Sequence, residues 1–526
     1  MQQLKKVAFL FALSILTLWT ACQKESGQKA DNALAAVPIN TTVVTAFDVP
    51  TLMEKANFEA IQSMDFYRFF KEKAQTESDL LAAVMTNPEN SGVDLTQNAY
   101  LSVELNPDNP EEIYMGVIFN LASAEDFSNF AHSLPDARIS TENGYQVADL
   151  TESLQVAWND KVAVVAMGEG IYETEGVVDA FFAPNEANNL AQNKNLQKVL
   201  AQSHDVTAWL TSNALAQSSN AKLLLSLAKI PPEALNDNFI HGSVDFEQGK
   251  VQAQLDFLFQ EALVEDLRLL FKGQSETDFS PYIDQQNLNI YLSAALDFDG
   301  LRQALVKRSQ IKMFADFALK SYGLSIQKLK DALDGDVVFT TYTGNINNRQ
   351  EALVGFKLNQ KTAFLSLLEM AEEKEYVTKT GKGRYLINPN FSNAISNIVP
   401  FDIGTSFDNQ LIIKEDIAFI SGNISRLDAI EMGDISPTDR VSQDVLELTE
   451  ANTLALFADF NSLKRLGIPW TPAMDKLMWN INGKGSNFEL TMRQEEVNSL
   501  QAIFEAVNDE FLKDKAQKQP VSQEKS

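Results

Sequence analysis

Histidine is the residue most often used for acid–base catalysis near neutral pH, and this chain has three. None of His132, His204 and His241 lies at metal-ligand spacing from another histidine or from the single cysteine. His132 falls in a predicted helix and His241 in a predicted strand. Packed or surface histidines are therefore the favoured interpretation over a catalytic triad or a zinc site.

Phosphate and acyl-transfer motifs are equally sparse. The sequence has neither a Gly-x-Ser-x-Gly nucleophile motif nor a Walker loop. Gly168-Glu169-Gly170 follows a predicted strand, but Glu173 and Glu175 come soon after it. Because these carboxylates would repel a phosphate, a loop is favoured over a nucleotide site.

Asp297-Phe298-Asp299-Gly300 resembles the start of a calcium loop but lacks the later acidic ligands. Related positions read Asp48-Val49-Pro50-Thr51 and Asp459-Phe460-Asn461-Ser462, which keep a helix-capping aspartate and discard the other ligands. The acid pairs Glu372-Glu373 and Glu495-Glu496 are interpreted as solvated charges. We therefore predict no catalytic residue, cofactor or metal, and a protein that is not an enzyme.

The one residue with a predicted chemical role is Cys22. Lys5 and Lys6 are followed by an apolar run over 7–19 and then by Thr20-Ala21-Cys22. This run is too short to span a bilayer and is typical of a secretory signal peptide. Small residues directly before a cysteine resemble the lipobox of bacterial lipoproteins, in which that cysteine is acylated. The departure is Trp19, where the lipobox usually has leucine.

Lipidation of Cys22 predicts stable attachment to a membrane, since several acyl chains exceed the two-signal threshold for anchoring. Gln23 follows the cysteine, in place of the aspartate that retains many lipoproteins at the inner membrane. Gln23-Lys24-Glu25 also resembles a short charged signal for export to the cell surface. We expect an outer-membrane location, with the periplasmic and the surface face both open.

Four stretches share a design in which an apolar strand runs directly into a capped helix. They begin at Asp48, Thr211, Asp297 and Asp459. In each, the Asp or Thr side chain is placed to accept a hydrogen bond from the free N–H groups of the first helical turn. The Leu four residues later is expected to pack back onto the sheet.

The spacing of these four stretches indicates an internal duplication. Asp48 and Thr211 are 163 residues apart, and Asp297 and Asp459 are 162 apart. Asp48 precedes Asp297 by 249 residues, and Thr211 precedes Asp459 by 248. The predicted organisation is a signal peptide over 1–21, a tether over 22–36, a first unit over 37–265, a second unit over 280–510 and a polar tail over 511–526.

Alternating apolar segments joined by turn residues predict a hairpin at several places along both units. The predicted fold class is α+β, with two tandem units whose largely antiparallel sheets are covered by helices on one face. The predicted hairpins pair 99–105 with 113–121, 154–158 with 162–166, 239–246 with 251–259, 337–342 with 352–358, 410–413 with 417–421, and 479–481 with 488–492.

The chain of 526 residues is strongly acidic, with 43 Lys and Arg against 71 Asp and Glu and a net charge of −28. This balance argues against binding nucleic acid or anionic lipid through net charge. An apolar content of 45% excludes global disorder.

The lipobox, the short tether and the strand Pro38-Ile39-Asn40-Thr41-Thr42-Val43-Val44 leading to Asp48 together resemble an uncharacterised lipoprotein family of Bacteroidota, defined by a domain of unknown function. The resemblance covers nearly all of the chain after Cys22. It implies a place in the cell envelope and brings neither an established activity nor functional residues.

Three functions are consistent with this sequence. The first is an anchored, non-enzymatic protein that binds or scaffolds an unknown protein or small molecule. The second is a carrier with an apolar cavity between sheet and helices, and the third is a hydrolase that combines acidic residues with one histidine. A solid core favours the first, an apolar cavity the second, and a His–acid pair in a deep pocket the third.

Overall fold

The structure is a computed structural model of the chain. It describes residues 31–518 outside a set of gaps. These gaps are 78–83, 107–108, 110–111, 135–136, 169–176, 183–188, 214–221, 223–231, 262–263, 265–268, 308–311, 314–315, 318, 321, 344–349, 389–408, 451 and 464–472.

Strands in the described residues are β1 Val43–Phe47, β2 Ala99–Leu105, β3 Ile113–Asn120, β4 Arg138–Glu142, β5 Tyr145–Thr151, β6 Leu154–Trp158, β7 Val162–Met167, β8 Val206–Thr211, β9 Phe239–Glu247, β10 Lys250–Leu258, β11 Leu288–Ala295, β12 Leu333–Thr343, β13 Gln350–Leu358, β14 Val377–Gly381, β15 Arg384–Ile387, β16 Gln410–Lys414, β17 Ile417–Ser421, β18 Leu454–Asp459, β19 Met474–Asn482 and β20 Gly485–Met492. Helices are α1 Asn32–Ala35, α2 Val49–Ala56, α3 Phe58–Gln62, α4 Asp65–Glu77, α5 Ala124–His132, α6 Asp179–Phe182, α7 Lys194–Leu200, α8 Phe298–Lys307, α9 Ile326–Ala332, α10 Lys361–Glu373, α11 Ile424–Met432, α12 Gln443–Glu450, α13 Phe460–Leu463 and α14 Ser499–Lys518.

The chain forms two compact units. The first contains Met1–Lys222, Leu235–Leu258 and Gln494–Ser526, and the second contains Leu223–Ala234 and Phe259–Arg493. In the described part of the first unit, ten strands pair in the order β4-β5-β6-β7-β3-β2-β1-β8-β9-β10. Every neighbouring pair is antiparallel, which confirms the predicted type of sheet.

Helices cover both faces of the first unit's sheet. On β3, Ile118 joins a core with α1, α6 and α7, whereas its neighbours Val117 and Phe119 join a core with α2, α3 and α4. This follows from the two-residue period of a strand, which sends alternate side chains to opposite faces. The prediction that helices cover only one face of the sheet is therefore incomplete for the first unit.

In the described part of the second unit, ten strands pair antiparallel in the order β14-β15-β16-β17-β13-β12-β11-β18-β19-β20. Position for position, this is the strand order of the first unit. On β17, Phe419 joins a core with α11 and α12, and Ala418 joins one with α9 and α10. Both faces of this sheet are also covered.

The predicted helix caps are present where they are described. Asp48 Oδ1 accepts the Thr51 N–H at 3.1 Å, and Asp297 Oδ1 accepts the Gly300 N–H at 2.8 Å. Asp459 Oδ1 accepts the Asn461 N–H at 2.8 Å. The helix predicted after Thr211 lies almost wholly outside the described residues. Capping satisfies N–H groups that have no partner inside the helix, which explains why an acid stands at these three strand-to-helix junctions.

The last residues of the predicted tether are part of the first unit. Ala33 and Ala36 are buried in its core, and the Asp31 carboxylate accepts hydrogen bonds from the Tyr100 hydroxyl and the Asn120 amide. A composition rich in Lys, Gln, Ala, Ser and Asp predicted a tether, but the small alanine side chains also allow a short helix to pack closely on the sheet. The chain is therefore held to the body from Asp31 onward.

The C-terminal segment differs most from the predicted boundaries. α14 continues to Lys518, inside the predicted polar tail, and belongs to the first unit. Leu500 and Phe504 join the core of α2, α3 and α4, and the Phe511 ring lies 5.4 Å from that of Phe69. The apolar side chains of α14 form a stripe on an otherwise charged helix. This stripe is buried against the helices of the first unit, which is why α14 belongs to that unit.

All six predicted hairpins are confirmed, but the described residues contain three more that were not predicted, namely β4 with β5, β5 with β6, and β14 with β15. The short strands β4 and β14 are rich in polar residues and have exposed positions, so their alternation is weak. None of the helices that the structure describes combines the length and apolar character needed to cross a membrane.

Candidate functional site

An ion pair between a partly exposed lysine and a buried aspartate joins three elements at one end of the first unit's sheet. Asp205, directly before β8, is almost fully buried, and its carboxylate accepts hydrogen bonds from Lys55 Nζ at 2.7 and 2.8 Å. The same carboxylate accepts the Phe246 N–H at 2.6 Å, and the Asp205 carbonyl accepts the Asp48 N–H at 2.9 Å. These bonds join α2, β8 and β9 at this end of the sheet.

His204 extends this network by one residue. Its Nδ1 lies 2.7 Å from Asp245 Oδ2, while Asp245 Oδ1 accepts the backbone N–H of Asp205 at 3.2 Å. One carboxylate therefore orients an imidazole and a strand terminus together. A carboxylate on Nδ1 favours the tautomer with a proton on that nitrogen and leaves Nε2 as the reactive position.

His241 lies next to this pair. It stands on β9 directly opposite Asp256 of β10, with 3.3 Å between its Nδ1 and Asp256 Oδ2. The centroids of the His204 and His241 rings are 6.4 Å apart. The His241 Nε2 atom is buried and has no hydrogen-bond partner within the described part of the chain.

A cavity of about 180 Å³ opens beside His204. Ala46 and Leu200 contribute to its wall, but the rest of the lining is polar. The polar residues are Asp48, Asn98, Gln202, Ser203, His204 and Thr207. Such a lining suits a small ligand that carries several hydrogen-bonding groups, because each buried polar atom of the ligand needs a partner.

The arrangement can do two things chemically. The amides of Asn98 and Gln202 and the hydroxyls of Ser203 and Thr207 can donate and accept hydrogen bonds. His204 can in addition exchange a proton, since its imidazole is held by Asp245 and forms part of the cavity wall. The first capability describes a binding site, and the second is what a hydrolase would need.

The other residues singled out in the sequence lie elsewhere. His132 ends α5, where its Nδ1 bonds the Ser128 carbonyl at 2.7 Å. Asp297 caps α8 in the second unit. Cys22 and Gly170 lie outside the described residues. In the described part of the chain no three His, Cys, Asp or Glu side chains form a group suited to a metal ion.

Sequence reasoning missed the meeting of His204 with Asp245 and of Asp48 with His204. His204 and Asp245 are 41 residues apart, and no local pattern links them. One available signal was the alternation on β9, which places His241 and Asp245 on the same face. The other available signal was that His204 and His241 both lie in or beside predicted strands of the first unit.

Residues 34–380 match the family model for a domain of unknown function, DUF4836. The chain belongs to this family. The matched span begins in α1 and ends in β14, so the DUF4836 region includes every residue of the cavity and its network up to β10.

One relative and two solved structures are also similar to this chain. The "Uncharacterized protein in tlyA 5'region" of Brachyspira hyodysenteriae is 33% identical over 118 residues, which are 21% of this chain and 77% of that protein. Crystal form I of TP0453 has 11% identity and a TM-score of 0.25, and covers 44% of this chain and 81% of TP0453. Crystal form III has 12% identity and a TM-score of 0.27, with 48% and 92% covered.

Proposed function

We propose that this DUF4836 protein is a lipoprotein of the bacterial outer membrane, anchored through Cys22, whose body binds a partner or a small polar ligand without catalysing a reaction. The observation that carries the proposal is the sequence before Cys22, with its basic start, short apolar run and small residues at 20–21. Cys22 is also the only cysteine of the chain, so it has no internal disulfide partner.

The packing of α1 supports an anchor close to the body. Asp31 is bonded to Tyr100 and Asn120 in the first unit, and it follows Cys22 by nine residues. Nine residues span at most about 32 Å when fully extended. An acylated Cys22 would therefore hold the first unit within a few nanometres of the membrane surface.

Binding is favoured over catalysis because the acids near His204 already have structural partners. Asp205 is engaged by Lys55, and Asp245 is shared between His204 and a backbone N–H. What faces the cavity is mainly amide and hydroxyl groups, which recognise ligands well and activate them poorly. The polar lining also fits a carrier of an acyl chain poorly, since such a ligand needs apolar walls.

Duplication of an ancestral unit is part of this proposal. Its support is the shared strand order, together with the capping aspartates Asp48 and Asp297 after the equivalent strands β1 and β11. A crystal structure in which 37–260 and 285–500 failed to superpose strand on strand would contradict it.

The anchor is tested by metabolic labelling with a clickable palmitate analogue in a bacterial host. We expect wild-type protein to be labelled and to fractionate with the outer membrane, and Cys22→Ala to lose the label. Ser26→Ala, four residues later, is the matched control and should label normally. Labelled Cys22→Ala protein, or unlabelled wild type, would contradict the anchor.

A second candidate function is hydrolysis, which the His204–Asp245 pair at a cavity favours. Chromogenic ester and glycoside substrates distinguish it, with His204→Gln and His132→Gln compared with wild type. The binding proposal expects no turnover by any of the three proteins. Turnover that is lost in His204→Gln and retained in His132→Gln would replace it with a hydrolase.

A further inference from the structure

The strand β4 forms one edge of the first unit's sheet, and its side chains are mostly exposed. Among the described residues only β5 pairs with it, and the register between the two strands has no bulge. Four of its five residues are exposed, and Ile139 is half-buried. A regular edge strand without proline presents unpaired backbone N–H and C=O groups to which another strand can bind.

The turn after β4 determines which of these backbone groups point outward. The turn Asn143-Gly144 has positive φ angles of 43° and 90°, and it is flanked by the pair of Glu142 with Tyr145. This geometry is a two-residue type I′ hairpin, whose flanking residues exchange backbone hydrogen bonds. Because hydrogen-bonded pairs alternate with pairs that make no such bonds, Ile139 and Thr141 direct their N–H and C=O groups away from β5.

These outward groups are complementary to those of a second copy of the same strand. In an antiparallel pair of two β4 strands centred on Ser140, Ile139 stands opposite the partner's Thr141, and Thr141 stands opposite the partner's Ile139. Each of these two pairs can exchange both of its backbone hydrogen bonds. The two strands then satisfy one another's outward groups, and a two-fold axis passes between the two copies of Ser140.

The side chains of β4 are complementary in charge in this same register. Arg138, Ser140 and Glu142 alternate along the strand and share one face, on which the Ser140 hydroxyl donates to the Glu142 carboxylate at 3.3 Å. Pairing about Ser140 places Arg138 of each copy opposite Glu142 of the other copy. Opposite charges that face each other across antiparallel strands attract. The backbone and the charges therefore favour one and the same register.

The corresponding edge strand of the second unit is protected against such pairing. β14 has an irregular register between Lys379 and Gly381, and the Lys379 N–H donates to the Glu372 carboxylate at 3.1 Å. A pairing of β14 with itself about its centre would set Lys379 opposite another Lys379. Bulges and lysines are the usual means by which proteins block a free edge, and like charges in cross-strand pairs repel. β4 contains neither a bulge nor a lysine.

We propose that β4 is a dimerisation edge, at which two copies of this protein join their sheets by antiparallel pairing about Ser140. A second copy is favoured over an unrelated strand because the backbone groups and the charges of Arg138 and Glu142 are both self-complementary. One pair of five-residue strands buries less surface than a stable dimer needs, so the association is weak and depends on protein concentration. This proposal is independent of acylation at Cys22 and of the cavity beside His204.

Disulfide trapping tests the register. The chain from Gln23 onward retains every described residue and contains no cysteine, so each single-cysteine variant carries one thiol. In Ser140→Cys the two-fold axis sets the two thiols opposite each other, with Cα atoms about 4.5 Å apart, which is a distance that a disulfide can span. We expect Ser140→Cys to form disulfide dimers in a glutathione redox buffer at least about tenfold faster than Thr141→Cys. Thr141→Cys is the matched control, because Thr141 is equally exposed but faces Ile139 of the partner.

Charge reversal in the Ser140→Cys protein tests the side-chain contacts. Arg138→Glu and Glu142→Arg should each slow cross-linking about fivefold, although they change the net charge in opposite directions. The two reversals together should restore the rate, because opposite charges then face each other again. Arg68→Glu on α4 makes the same change of charge as Arg138→Glu and should leave the rate unchanged.

Thermal unfolding of each variant confirms that it is folded. Equal cross-linking of Ser140→Cys and Thr141→Cys, including none by either, would overturn the proposal. A double charge reversal that cross-links as slowly as the single reversals would overturn it as well.

Discussion

Lys55 and Asp205 are 150 residues apart in the chain, yet the Lys55 ammonium lies 2.7 Å from a buried carboxylate oxygen of Asp205. The pair joins α2 to the start of β8 and holds one end of the first unit's sheet together. The Asp205 carboxylate also accepts the Phe246 N–H, so it forms hydrogen bonds to α2 and to β9 at the same time. The cavity beside His204 adjoins this pair, because His204 directly precedes Asp205 in the chain.

Removing Lys55 should therefore destabilise the first unit. Lys55→Met leaves the buried Asp205 carboxylate without its counter-ion, and we expect the free energy of unfolding to fall by about 3 kcal/mol. Arg68→Ala removes an exposed ion pair with Asp65 and should cost less than about 1 kcal/mol. Urea unfolding followed by tryptophan fluorescence measures both. Equal effects of the two substitutions would show that the Lys55 pair contributes no more than a surface pair.

The C-terminal helix should stabilise the first unit rather than the second. Leu500 of α14 is buried in the core formed with α2, α3 and α4. Leu500→Ala is expected to lower the free energy of unfolding by about 2–4 kcal/mol, since it leaves a cavity in that core. Hydrogen exchange should locate the loss of protection in β1 and β2. Leu512→Ala, an exposed position on the same helix, is the control, and protection lost mainly from β11 and β12 would refute the assignment.

Acid should weaken the contact between α6 and the turn of β4 and β5. Hydrogen bonds from Asn143 and Tyr145 lower the pKa of Asp179 below its ordinary value of 3.8. A lowered folded-state pKa stabilises the fold above the unfolded value and stops doing so as pH falls through the folded value. The contribution of these bonds is thus complete above about pH 5, and it is lost progressively as the pH falls through the lowered pKa of Asp179.

Tyr145→Phe tests this pH dependence, because it removes the hydroxyl and leaves an aromatic ring to stack on Phe182, whose centroid lies 4.3 Å from that of Tyr145. The variant should be less stable than wild type at pH 7, and the two stabilities should converge as the pH is lowered below 4. A difference that stayed constant across this range would contradict a role for the Asp179 charge.

Glycine is required at position 335. Its φ of +115° is unfavourable for any other residue, and a Cβ atom there would lie 1.9 Å from the Leu296 carbonyl oxygen. Gly335→Ala should lower the free energy of unfolding by about 3 kcal/mol or more. Gly273→Ala meets no atom within 4 Å and should change it by less than about 1 kcal/mol. Thermal unfolding of the two variants is the measurement, and a stable Gly335→Ala protein would disprove the requirement.

Local signals in the sequence determined much of the secondary structure. Asp48, Asp297 and Asp459 act as caps because the N–H groups that they bond lie within three residues of them. Turn residues between alternating apolar segments identified six hairpins for the same reason. Attachment through Cys22 also depends on a short stretch and is a prediction from sequence that the described residues do not reach.

Only the tertiary structure decided which distant residues meet. The pairing of β8 with β1 and β9 brings Lys55 to Asp205, sets Asp245 against His204 and creates the cavity beside them. α14 follows the second unit in the chain, yet it packs on the first unit. The physical reason is that these contacts close loops of 40 to several hundred residues, and their partners are selected by sheet register and buried apolar surface rather than by neighbouring residues.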